Sequence, residues 1–311
     1  MRRSSTLLTN TGADAVPEGL RSPTVFTPKT VSEAISNKLK NPDARFWAGG
    51  TYIMSRPNFY PNPNQRDIIS LAGIQDLSRI YHADRYLEAG AMVTIQQLLT
   101  MGSFIFSKEL YNAINSIGSS VIRNQATLGG SLCTSDMRFT MSCVLATVNA
   151  QAEIRMISRA ASSRWVSVSK LYDRKGNFLF ADNALLTKIR IPTDNTNQNI
   201  FISRTLDSPM LNPTEAVLFG LLYSIQQGSI ATPSLCIALP SSCFYMSQDF
   251  DNLLSTISFP ITADKAQKIS RRLASDLRVS VRQNTDQLQI ERAVRLLEQV
   301  LYEINMNYLA G

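Results

Sequence analysis

The chain has 311 residues, 44% of them hydrophobic and 18% charged, with a formal net charge of +7. That balance suits a globular protein long enough for two cores, and no stretch approaches the ~18 uninterrupted apolar residues of a membrane helix. The basic residues are scattered, with the Arg271-Arg272 pair inside a helical pattern, which argues against a nucleic-acid surface and leaves a solvated basic face or a surface for acidic partner subunits.

Residues 1–21 read as a flexible tail. Met1-Arg2-Arg3 turns polar at once, and Thr6–Thr9 is too short and polar for the apolar part of a secretory signal, so a cytoplasmic location is expected. Thr30–Leu39 is a predicted helix, with Val31, Ala34, Ile35 and Leu39 on one face, capped by Thr30 or Ser32. Arg45–Ala48 is a short strand running into Gly49-Gly50, and Thr51–Met54 opens a short helix. Arg56–Asn64, with three prolines and three asparagines, is a loop. Asp67–Leu71 is a strand, Gly73–Leu77 a turn, and Tyr86–Ala89 a strand ended by Gly90. Thr94–Thr100, Lys108–Ile117 and Met141–Val148 are helices, and Ala152–Ile157 is a strand. Trp165 sits in a surface strand, and Ser167–Leu171 and Leu185–Ile191 complete the first half.

Pro192 and the polar connector Thr193–Asn199 then lead to a second unit. It holds three strand candidates, Phe201–Thr205, Ala216–Gln226 and Leu235–Leu239. Two amphipathic helices follow, Thr262–Leu277 and Gln289–Asn305, the first capped by Thr262 with Asp264 in its first turn. The domains are therefore expected at 22–193 and 199–311, in an α+β class whose small C-terminal domain is a three-stranded sheet plus helices.

A metal centre is not expected. The four cysteines (Cys133, Cys143, Cys236, Cys243) form no CxxC, and His82 is the sole histidine. Cys133 and Cys143 fall in apolar context and read as buried thiols rather than a disulfide.

The chemistry points to two glycine loops. Trp47-Ala48-Gly49-Gly50-Thr51 is a strand ending in two glycines and a hydroxyl, a pattern that lets backbone amides approach a pyrophosphate. Alone it is more often a simple turn. Ala126-Thr127-Leu128-Gly129-Gly130-Ser131, beginning 78 residues after Ala48, has the same character. Two such loops suit an extended dinucleotide gripped from two sides. Neither is the GxGxxG fingerprint or a P-loop.

The run from Ile122 through Arg123-Asn124-Gln125 to Leu132 resembles the IRNxATxGGN signature of the FAD-binding subunits of molybdenum hydroxylases, the xanthine dehydrogenase and carbon monoxide dehydrogenase flavoproteins. Phe46–Thr51 resembles that family's first flavin loop, and Leu87–Ile95 its strand and helix start. Leu185–Pro192 resembles its closing strand, and Asp276–Leu301 its C-terminal region. The resemblance covers nearly all of the chain after residue 24.

It implies a two-subdomain PCMH-type (vanillyl-alcohol-oxidase-like) fold with FAD bound between the subdomains. Trp47, Ala48, Gly49, Gly50, Thr51, Tyr52, Ile53 and Met54 would cradle the pyrophosphate. Ala126, Thr127, Gly129, Gly130 and Ser131 would form the second clamp, with Cys133 near the cofactor, Asp136 and Thr140 toward the adenosine, and Leu185 and Leu186 packing near the flavin or the adenine. The implied partners are a molybdopterin-binding large subunit and a 2Fe-2S small subunit, with electrons passing through FAD to NAD+ or another acceptor. This chain carries no hydroxylation chemistry of its own under that reading.

Several positions depart from the pattern. Ser131 replaces the usual asparagine, as in the carbon monoxide dehydrogenase branch. Tyr52 and Thr140 stand where aspartates are usual, with Asp136 near Thr140, and a lysine–arginine segment is reduced to Ser203-Arg204-Thr205. These departures leave open a structural or assembly subunit that has lost its flavin. Arg123 reads equally as a surface residue or a strand-end salt bridge. Asp136 reads as a helix cap or a ligand, Met137, Phe139 and Met141 as core, and Arg204 as structural or at a subunit interface rather than catalytic.

Overall fold

A computed structural model describes residues 23–55, 67–102, 104–134, 140–158, 160, 162–173, 177–180, 184–193, 198–205, 217–239, 243–280 and 287–310. The N-terminal tail, the Arg56–Asn64 loop, Asp136, Met137 and Phe139 lie outside them.

The first layer contains β1 (Val25–Phe26), α1 (Val31–Lys40), β2 (Arg45–Trp47), α2 (Thr51–Met54) and β3 (Ile68–Ser70). Its strands run parallel in the order β1-β3-β2. Thr30 caps α1, its hydroxyl accepting from the Glu33 amide at 3.1 Å. Ala34 on the buried side of α1 packs with Ile69, Leu71, Ile74 and Leu77, and Leu185 reaches into this cluster from the next layer.

That layer contains β4 (Ile80–His82), β5 (Tyr86–Gly90), α3 (Ile95–Gly102), α4 (Lys108–Asn115), α5 (Ser120–Gln125), α6 (Leu128–Cys133), α7 (Thr140–Thr147), β6 (Gln151–Met156), β7 (Ser163–Ser167) and β8 (Ala184–Pro192). The five strands are antiparallel in the order β4-β5-β8-β6-β7. Leu186, Ile189 and Ile191 of β8 enter the main core, whereas Leu185 faces the first layer. The change of step comes from a bulge: Glu153 pairs with Lys188 but Ile154 with Leu186, so Thr187 is the extra residue. Every residue of α7 is buried, its apolar side chains joined by three small hydroxyl residues, of which Thr147 donates to the Cys143 carbonyl at 2.8 Å and Ser142 shares a hydrogen bond with Tyr172. Between β7 and β8, Val168–Lys170 is a single 3-10 turn.

The last part contains β9 (Asn199–Arg204), β10 (Leu218–Gln226), β11 (Ser229–Leu239), β12 (Cys243–Tyr245), α8 (Gln248–Ser255), α9 (Ala263–Ser280) and α10 (Gln287–Ala310). Its sheet has four strands, in the order β12-β11-β10-β9, rather than the expected three. The fourth is a three-residue edge strand, and β11 starts six residues earlier than expected. Alternate residues serve two cores. Leu218, Cys236, Ala238 and Phe244 join the main core, while Phe219, Leu221, Leu235 and Ile237 pack under α8, α9 and α10. Gly220 admits α7 closely, since a Cβ there would lie 2.1 Å from the Thr147 hydroxyl. Among the described residues no helix is long and apolar enough to cross a membrane.

Candidate functional site

β2 delivers Trp47 to the top of the parallel sheet, where its carbonyl accepts from the Leu71 amide at 2.9 Å. The chain then turns through Gly49 and Gly50 into α2. Gly50 adopts φ 69°, a left-handed conformation, and its α-carbon faces the Trp47 indole, which a Cβ would meet at 2.8 Å. Gly49 is tighter still: a Cβ there would lie 1.9 Å from the Gln125 carbonyl oxygen. The two glycine loops are thus in direct contact, with no room for a side chain at Gly49. Ala48 through Ile53 are half-buried and Met54 is exposed. Among the described residues the amides of Gly49, Gly50, Thr51 and Ile53 have no acceptor, while the Met54 amide donates to the Gly50 carbonyl at 2.9 Å. Acceptor-free amides in a row at a glycine turn are the kind of backbone groups that suit an anion.

The second loop is built differently. The Ala126 carbonyl accepts from the Ile95 amide and the Leu128 amide donates to the Val93 carbonyl, both at 2.9 Å. The Gly129 amide donates to the Ala91 carbonyl at 2.8 Å. The Thr127 hydroxyl caps α6 by accepting from the Gly130 amide at 3.1 Å, and the Ser131 amide donates to the Thr127 carbonyl at 2.9 Å. The amides of residues 128–131 are therefore used within the fold. What this loop offers is the half-buried Ser131 hydroxyl and the bare α-carbon of Gly130, where a Cβ would lie 2.9 Å from the Thr127 hydroxyl that caps α6 and 3.9 Å from the Ala48 methyl.

Two tethers hold the second loop in place. Arg123, in α5, uses its guanidinium on main-chain carbonyls: Nη1 donates to Asn115 at 2.9 Å and Gly118 at 2.8 Å, and Nε donates to the Gln96 side chain at 3.3 Å. It is neither a free surface residue nor a strand-end salt bridge, because the carbonyls that end α4 offer a cation better acceptors. The buried Tyr172 hydroxyl donates to the Leu132 carbonyl at 2.6 Å and shares a 2.6 Å hydrogen bond with Ser142, joining α6 to α7. Burial pushes the Tyr172 phenol well above its ordinary range, so it stays a neutral donor. Nothing in the local sequence marks Tyr172, which lies 40 residues from its partner Leu132.

The other expected site residues fall as follows. Leu185 and Leu186 are both buried, one in the first-layer cluster and one in the main core. Thr140 is buried at the start of α7. Cys133, read as a buried thiol, is exposed at the end of α6, because that helix turns its Leu128 and Leu132 side inward. Cys143 is buried, its Sγ 3.4 Å from the Cys236 carbonyl, and Cys236 is likewise a buried free thiol. Among the described residues no His, Cys, Asp and Glu cluster fits a metal ion.

The sequence of residues 20–194 matches the family described as "FAD binding domain in molybdopterin dehydrogenase". The nicotinate dehydrogenase FAD-subunit of Eubacterium barkeri is 27% identical over 175 residues, a match spanning 53% of this chain and 57% of that protein. Among solved structures, quinoline 2-oxidoreductase from Pseudomonas putida 86 superposes with a TM-score of 0.73 at 19% identity, covering 93% of this chain and 98% of that one. A carbon monoxide dehydrogenase from Hydrogenophaga pseudoflava gives a TM-score of 0.75 at 16% identity over 90% and 96%. At such identities the superpositions speak for the fold, and the match over residues 20–194 speaks for the family. With both glycine loops inside that match, this chain belongs to the FAD-binding domain family of the molybdopterin dehydrogenases.

Proposed function

We propose that this chain is the flavin subunit of a xanthine-dehydrogenase-like molybdenum hydroxylase. In this role it takes electrons from the 2Fe-2S clusters of a small subunit and passes them through FAD to NAD+ or another acceptor. A molybdopterin-binding large subunit would perform the hydroxylation. The observation that carries the reading is the contact between the two glycine loops, with acceptor-free amides on one of them. Bound FAD supplies a two-electron store able to exchange single electrons with clusters and a hydride with a nicotinamide. The amides of Gly49, Gly50, Thr51 and Ile53 hold the pyrophosphate, Trp47 backs the turn, and Ser131 adds a hydroxyl from the facing loop. Ala126, Thr127, Gly129 and Gly130 set the shape of that facing loop. Leu185 and Leu186 support the cleft from β8.

The second reading, an assembly subunit without flavin, draws on Tyr52 and Thr140 standing at positions where aspartates are usual. The complex purified with its partner subunits separates the two. On the flavin reading, anaerobic NADH or the complex's own reductant bleaches a flavin absorbance that this chain carries. A complex that reduces its acceptor at full rate while this chain holds no flavin would establish the assembly role instead.

A further inference from the structure

α9 and α10 pack side by side over the core of the C-terminal sheet. They bury Leu273 and Leu277 from one helix and Ala293, Leu297 and Leu301 from the other. Between their outer faces lies an open groove of about 400 Å³. Ala274, Ile290 and Val294 give it an apolar floor, and arginines and glutamates of both helices line its sides.

Those charges are satisfied unequally. Arg295 pairs with Glu298 at 2.8 Å and lies 3.9 Å from Glu291, so the groove charges of α10 are matched on their own helix. Arg272 of α9 pairs with Asp276 at 3.0 Å. Arg271 and Arg278 line the groove and, among the described residues, make no hydrogen bond or ion pair. They stand seven residues apart on α9, two helical turns or about 10 Å. The groove also continues beyond its charges. Glu291, Arg295, Glu298, Tyr302, Met306 and Leu309 follow one another along α10 at steps of three or four residues, so they share one face. Tyr302, Met306 and Leu309 on that face are 64%, 47% and 61% exposed. An exposed apolar stripe running on from a basic groove has the anchor spacing of a helix-docking surface.

We propose that α9 and α10 together dock a helix of a partner subunit that is acidic at one end and apolar at the other. Two carboxylates, two turns apart on that helix, meet Arg271 and Arg278, and its apolar end covers Tyr302, Met306 and Leu309. From Glu291 to Leu309 the shared face of α10 extends about 27 Å, the length of a helix of about five turns. A second copy of this chain fits less well, because its own α9–α10 face brings the same two unmatched arginines and no free carboxylate. The inference rests on the subunit reading above and adds where a partner attaches and by what chemistry.

The test is assembly of the full chain, loaded with FAD, with the purified molybdopterin-binding and 2Fe-2S subunits of its complex, measured by calorimetry at low and high salt. The double charge reversal Arg271→Glu with Arg278→Glu is expected to weaken assembly about tenfold or more, and Leu309→Asp to do the same. FAD uptake and melting temperature stay at wild-type values in both. Lysine at both arginine positions keeps most of the affinity. Wild-type assembly weakens as salt is raised, and that of the charge-reversed chain does not. Should the glutamates unfold α9, Arg271→Gln with Arg278→Gln removes the charges without reversing them, and the same direction of change is expected. Equal affinity of wild-type and neutralised chains overturns the proposal. So does a wild-type dimer that Leu309→Asp dissociates, which would put a second copy on this face. A wild-type chain that takes up FAD but binds neither subunit removes the subunit reading and the docking surface with it, an outcome distinct from variants that assemble as well as wild type.

Discussion

A methyl group at Gly49 would sit 1.9 Å from the Gln125 carbonyl oxygen, so an alanine there forces the two loops apart. Gly49→Ala is expected to cost about 1–3 kcal/mol of stability, as overpacking does, and to weaken FAD binding at least tenfold, readable by thermal melts and flavin fluorescence titration. A Gly49→Ala chain that binds FAD as tightly as wild type would mean the loop contact does not shape the site. Gly50→Ala is strained for a different reason, its φ of 69°, worth about 1–2 kcal/mol. The glycine pairs themselves were legible in the sequence, because glycine after a strand announces close approach or a left-handed turn. What they approach was not legible: Gln125 lies far along the chain, and main-chain carbonyls leave no mark in a sequence. The same holds for Arg123, whose partners are the carbonyls of Asn115 and Gly118. It also holds for Tyr172, whose hydrogen bonds to Leu132 and Ser142 close over long sequence separations.

Amphipathic helices could be read with some precision because their period is local. Thr30 caps α1 as expected, and α9 places Ile269, Leu273 and Leu277 inward. The sheet of the C-terminal part was harder. The turn between β10 and β11 is Gln227-Gly228, both with positive φ, and glutamine gives no hairpin signal there. The strand after it begins Ser229-Ile230-Ala231-Thr232-Pro233, too small and polar to read as a strand, and β12 is only three residues long. Asp251 ties α8 to this sheet, accepting from the Leu235 amide at 3.0 Å. Burial pushes its carboxyl up to about 6 from 3.8, although the Leu235 hydrogen bond opposes the shift. A raised carboxyl binds its proton more readily in the folded state, so its contribution is most favourable below pH 4 and declines as pH rises from about 4 through about 6. Asp251→Asn keeps an oxygen acceptor and is expected to gain about 1–2 kcal/mol at neutral pH, a figure discounted for partial solvent contact. Thermal melts of both proteins from pH 4 to 7 check this. The difference should open as pH rises and be absent at pH 4; a constant difference contradicts it.

At the scale of the molecule, three packed layers share their walls. β8 contributes Leu185 to one core and Leu186 to the next, and the C-terminal sheet contributes one face to the main core and the other to its own helices. β8, lying between the first two layers, therefore belongs to two cores at once, which favours a fixed position for the strand. The α+β class and the order of the motifs could be read from the sequence. The bulge at Thr187, which brings Leu185 and Arg155 to the same face, could not, because one extra residue in a nine-residue strand shows only in its pairing. The measurement bearing most directly on the account is calorimetric titration of FAD into the flavin-stripped full chain. Binding of one FAD per chain, with its fluorescence quenched and with affinity lost in Gly49→Ala, is the predicted result. A folded chain that releases or takes up no heat and leaves FAD fluorescence unchanged would contradict it.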